Sequence, residues 1–157
     1  MGIVEPGRPA PDFSLARHEG KPFTRAGLEG RTTFLVFYPN AFSPVCTDQL
    51  SVYQEVLDEL REAGMDVMYG VSCDSTWSQQ AFREQLGIDG IEMLSDWEPK
   101  GAACRAFGVL HPAGMPERAI VLVGPDAVVR WSHLAASPGD LPGANLLFDA
   151  LASHART

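Results

Sequence analysis

The run TTFLVFY, Thr32 to Tyr38, constrains the fold of this chain more than any other segment. Its side chains are β-branched, aliphatic or aromatic with no alternating polar face, so a strand here must be covered on both sides, as strands of parallel sheets are. Pro39 ends it, since proline cannot donate to a sheet ladder. A second apolar run, MDVMYGVS (65 to 72), has the same character, and between the two Leu50, Tyr53, Val56, Leu57 and Leu60 recur at helical spacing. Asp48, Glu55, Asp58, Glu59 and Glu62 take the opposite face, and Gly64 is placed to end the helix. Strand, amphipathic helix and strand together make a βαβ unit.

DSTWSQQAFREQLGI (74 to 88) reads as a second helix, with Asp74 and Ser75 as capping candidates. A short strand near Glu92 to Leu94 and a helix near Pro99 to Phe107 follow. Strands at Ala119 to Val123 and Val128 to His133 flank the turn GPDA, and a terminal helix runs from Gly143 to His154. The opening segment is broken by Pro and Gly and reads as a hairpin, with strands around Phe13 to Leu15 and Lys21 to Phe23. AASPGDLPG (135 to 143) is the loop expected to be most mobile. This order predicts one α/β domain over residues 1 to 157, a thioredoxin-like fold with an N-terminal β-hairpin extension and a central mixed sheet flanked by helices.

A net charge of −8 argues against phosphate-directed binding of nucleic acid, which needs clustered Lys and Arg. The N-terminus has no apolar signal region, and no segment reaches the about 18 apolar residues of a membrane span. A cytoplasmic protein without membrane contact is expected. His18, His111, His133 and His154 form no ligand spacing, no phosphate-binding glycine motif occurs, and neither metal nor cofactor is implied. Trp77, Trp97 and Trp131 read as core or partly buried aromatics.

The three cysteines, Cys46, Cys73 and Cys104, are odd in number, widely spaced and without a CxxC, which fits neither a disulfide framework nor zinc. Free cysteine is by default a small buried hydrophobe. Position reverses that default for Cys46. Ser43 is a favoured N-cap and Pro44 a favoured first helical residue, so Cys46 falls at the third helical position, just past the carboxyl end of a strand where open α/β sheets bind ligands. Capping-box spacing can bring the Ser43 hydroxyl close to the Cys46 sulfur. The first turn also offers unpaired N–H groups and the positive end of the helix dipole, both of which favour an anion, so a thiol there is expected to react as its thiolate.

FYPNAFSPVCT resembles the peroxiredoxin active-site motif Pro-x-x-x-Thr/Ser-x-x-Cys, with Pro39, Ser43 and Cys46 in register. GRPAPDFSL, GVSCDS, LSDWEPKGAACRAFGV and PERAIVLVGPDAVVRW are similar to the family's successive blocks, the last carrying an arginine, Arg118. The pattern is similar to the alkyl hydroperoxide reductase/thiol-specific antioxidant group of AhpE type. The resemblance implies a thiol-dependent peroxidase, an antioxidant with a redox-active centre and no cofactor, that acts as a homodimer. In it Cys46 attacks the peroxide, Ser43 hydrogen-bonds it, Pro39 shields the pocket, and Arg118 stabilises thiolate and transition state. Gln49 stands where many relatives carry Glu, and an amide there can still orient Arg118 but cannot pair its charge.

The sulfenic acid formed must meet another thiol. Cys73, Cys104 or an external reductant, thioredoxin-like or a low-molecular-weight thiol, are the candidates; Ser51 occupies the place where one branch of the family keeps its resolving cysteine. A thiol-disulfide oxidoreductase would need a CxxC that residues 43 to 46 lack. A non-enzymatic redox-sensing or partner-binding module shares the first step with a peroxidase and differs in turnover.

Overall fold

The computed structural model describes residues 2 to 154. The covered strand is β3, Thr33–Phe37, and every one of its side chains is buried. It lies inside a seven-stranded mixed sheet of order β2-β1-β5-β4-β3-β6-β7. β4 (Val67–Ser72) pairs parallel to β3, and β5 (Glu92–Ser95) parallel to β4. β6 (Ala119–Val123) runs antiparallel on the other side of β3, and β7 (Val129–Leu134) antiparallel to β6. The hairpin of β1 (Ser14–Arg17) and β2 (Pro22–Thr24) adds to the far edge through β5, so it extends the sheet as expected.

Alternation along β3 divides the interior into two cores. Phe34 and Val36 face one that holds Cys46, Leu50, Tyr53, Leu60, Phe82, Leu147 and Leu151. Leu35 and Phe37 face another that holds Leu28, Val71, Cys73, Leu94, Cys104 and Phe107. The first is roofed by α1 (Pro44–Glu55), α2 (Leu57–Glu62), α3 (Thr76–Leu86) and α5 (Ala144–His154). The second is closed by α4 (Ala102–Ala106), by a 3-10 turn at Arg25–Leu28 and by the N-terminal segment.

Three expectations change. The helix after β3 is broken at Val56, whose ψ of 14° leaves the helical region, so the apolar stripe is carried by two helices. Both still bury it, because Tyr53, Leu57 and Leu60 all reach the same core. Asp74 does not cap α3: the Ser75 hydroxyl accepts from Ser78 N–H, and Gly87 closes the helix with φ of 69°. Trp77 and Trp97 are 77% and 54% exposed, Trp77 lying edge-on to His18; only Trp131 packs against a core, edge-on to Phe34. Among the described residues no helix is long and apolar enough to cross a membrane.

All three tyrosines are held in the interior, and burial pushes each hydroxyl above its usual value, Tyr53 to about 12. A folded-state value above the unfolded ~10 stabilises fully below that value and is lost as pH rises through the folded one. Spectrophotometric titration is expected to show no tyrosinate near pH ~10 while the chain is folded, and urea stability to fall from there towards about pH 12. A tyrosine ionising at its ordinary value in the folded chain would contradict this.

Candidate active site

The register between β3 and β6 pairs Phe37 with Ala119. The next position in that register sets Arg118, just ahead of β6, beside the end of β3 where the chain turns into α1. Ser43 is the N-cap of that helix with extended backbone, Pro44 occupies its first position, and Cys46 lies in its first turn, fully buried. The Ser43 carbonyl accepts the first helical N–H, from Thr47, at 2.9 Å. Its hydroxyl does not cap the helix, contrary to the capping-box expectation; it donates to the Asn40 carbonyl at 3.1 Å.

Arg118 is 2% exposed, and its guanidinium is held from three sides. Nη2 lies 3.1 Å from Cys46 Sγ, Nε donates to the Pro138 carbonyl at 2.8 Å, and Nη1 donates to Gln49 Oε1. Gln49 is itself fixed: its Nε2 donates to the Tyr53 hydroxyl at 3.2 Å, which donates to the Pro142 carbonyl at 2.6 Å. None of these partners is a carboxylate. Gln49 thus orients Arg118 without pairing its charge, as its residue type implied. Five N–H donors less three bonds leave two uncommitted among the described residues.

These groups border an open cavity of about 300 Å³ lined by Pro39, Ser43, Pro44, Val45, Met115 and Arg118, among others. Pro39, Ser43, Cys46 and Arg118 therefore converge, Pro39, Ser43 and Arg118 on the wall and Cys46 in contact with Arg118 behind it. The loop between β3 and α1 is strained. Phe42 has φ of 68°, uncommon for a bulky side chain, and is held by its ring contact with Phe82 and by Asp74, whose carboxylate accepts Ala41 N–H at 2.8 Å.

Cys73 and Cys104 are not brought to Cys46. They belong to the core on the opposite face of the sheet, where their sulfurs and an oxygen of Asp96 lie within 4.8 Å of one another. This is the one grouping of metal-ligating side chains found among the described residues, and Asp96 already serves α4 by accepting the N–H groups of Ala103 and Cys104 at 3.0 and 2.8 Å.

Sequence reasoning missed Tyr53, Pro138, Pro142 and the loop role of Asp74. Tyr53 was legible only as a core residue, and backbone carbonyls carry no residue-type signal. The segment expected to be most mobile supplies two of the anchors. A hydrogen bond to a charged group contributes about 1.5–3 kcal/mol. Gln49→Ala is accordingly expected to slow the reaction of Cys46 with hydrogen peroxide about tenfold in a rapid-mixing assay, and Tyr53→Phe by less. An unchanged rate in folded Gln49→Ala would show that Arg118 needs no such support.

The model of the AhpC/TSA family matches residues 6–132. Alkyl hydroperoxide reductase E of Mycobacterium tuberculosis is 30% identical over 153 residues, covering 96% of this chain and 98% of that one. Alkyl hydroperoxide reductase C of Amphibacillus xylanus is 33% identical over 131 residues, covering 80% and 69%. Among solved structures, AhpC of Enterococcus faecalis superposes with a TM-score of 0.83 at 29% identity, covering 98% of this chain and 92% of that one. With most of its length matched by the family model and its fold and motif in agreement, the chain belongs to the AhpC/TSA family, the peroxiredoxins.

Proposed function

We propose that the chain is a thiol-dependent peroxidase in which Cys46 reduces hydrogen peroxide and organic hydroperoxides. The observation that carries the assignment of roles is the 3.1 Å contact between Cys46 Sγ and a buried arginine at the wall of an open cavity. The sulfur attacks the distal peroxide oxygen, the O–O bond breaks, and the proximal oxygen leaves as alkoxide or hydroxide and takes up a proton. Negative charge spreads from sulfur over both oxygens in the transition state. Arg118, always charged and fixed before reaction, has two N–H groups left to meet it. Ser43, on the cavity wall, exchanges its weak local bond to Asn40 for one to the peroxide. Pro39 contributes an apolar wall that cannot donate a hydrogen bond and keeps water from the sulfur.

The resulting sulfenic acid on Cys46 is reduced by an external thiol, thioredoxin-like or of low molecular weight. What supports this is placement: the other two cysteines face the opposite core, with the sheet between them and Cys46. A cytoplasmic setting fits three free thiols. A homodimer fits the exposed Phe42 (47%) and Leu141 (40%) on the loops around the cavity, which a second copy would cover; sedimentation velocity tests it.

Rapid mixing of reduced protein with peroxide, followed by tryptophan fluorescence, is expected to give a fast phase that Cys46→Ser abolishes. Reaction no faster than that of a free thiol would remove the peroxidase reading. Intact mass after one equivalent of peroxide is expected to show the gain of one oxygen, on Cys46. A disulfide involving Cys46 within one chain would instead make the cycle an internal one.

A further inference from the structure

The mechanism above leaves two buried thiols unused. Cys73 directly follows β4, and Cys104 lies on α4, 31 positions later, yet packing of α4 on the sheet sets their sulfurs within 4.8 Å. We propose that Cys73 and Cys104 are a second redox centre, a dithiol that hydroperoxide closes to an intramolecular disulfide, with the Asp96 carboxylate seated to take up the proton released.

Several features fit a dithiol. The two sulfurs are neighbours within one core, beside the Asp96 carboxylate. Interaction between the two thiols pulls Cys73 below the ordinary thiol range and holds Cys104 above it, with burial and the Asp96 charge raising Cys104 further. Cys73 is also the more accessible, at 6% against 0%. A metal ion fits less well, since it would need both thiols ionised beside the Asp96 carboxylate.

The step balances. Cys73 sulfur attacks the distal oxygen of the hydroperoxide, the O–O bond breaks, and the alcohol or water leaves, giving a sulfenic acid on Cys73. Cys104 then gives its proton to Asp96, its sulfur attacks that of Cys73, and hydroxide leaves, recovering the proton as water. Two thiols and one hydroperoxide become one disulfide, one alcohol or water, and one further water.

The inference shares its oxidant class with the proposed function, and the test removes Cys46 so that the two stand or fall separately. Reduced Cys46→Ser protein would be treated with excess hydrogen peroxide, then analysed by intact mass and non-reducing peptide mapping. The expected result is loss of two hydrogens per chain, with the Cys73 and Cys104 peptides linked. Cys46→Ser/Cys73→Ser and Cys46→Ser/Cys104→Ala, two variants with different packing consequences, are each expected to lack the loss. Two thiols still titratable after unfolding, oxygen atoms gained in place of hydrogens lost, or links only between chains would overturn the proposal.

Discussion

The site depends on how a buried guanidinium is kept in place without a carboxylate. Withdrawing an unpaired charge from water costs several kcal/mol, and only good geometry with hydrogen bonds offsets it. Arg118 meets that requirement with two neutral acceptors, the Pro138 carbonyl and the Gln49 amide, and with the sulfur of Cys46. A carboxylate at position 49 would pair the charge. With an amide there, the proposed reaction supplies the anionic partner that Arg118 lacks, as charge on the reacting sulfur and then on the departing oxygen. In that proposal the uncompensated charge favours the transition state over the resting site.

The fold exists around that contact in a direct sense. β6 runs antiparallel to β3, so its first residues lie beside the last residues of β3, and the arginine preceding it arrives where α1 starts. Tyr53, two turns along α1, secures Gln49 and reaches across to Pro142, tying the helix to the segment between β7 and α5. That segment is irregular in sequence and structurally tight at the two carbonyls that matter. On the other side Asp74 holds the loop carrying Phe42 and Ser43. The cavity is thus tied to the sheet by Arg118 ahead of β6 and Asp74 after β4, and to α1 by Tyr53.

Much of this was legible in the residues. The uniformly apolar run at 32 to 38 reported a doubly covered strand, and Ser43 with Pro44 marked the helix start to the residue. The resemblance pointed to Gln49 as an amide that could orient Arg118, and the bond between them is present. What escaped has physical reasons. The break at Val56 leaves the apolar stripe intact, so periodicity could not report it. The hydroxyl of Ser43 could accept from a first-turn N–H or donate to a nearby carbonyl, and the loop geometry selected donation to Asn40. Contacts made by carbonyls leave no residue-type trace, and the approach of Cys73 to Cys104 is created only when α4 packs on the sheet. Trp77 and Trp97 were read by type as core or partly buried, yet side-chain size does not fix which face of an element a residue occupies.

The central claim is that Arg118, rather than helix position alone, makes Cys46 reactive. It is tested most directly by the second-order rate constant for hydrogen peroxide in Arg118→Gln, measured by competition with a reference peroxidase on protein shown to be folded by circular dichroism. Loss of a preorganised charged donor is expected to lower that constant by about 10²–10³. A folded variant reacting within about threefold of the parent chain, a difference of well under 1.4 kcal/mol, would contradict the account.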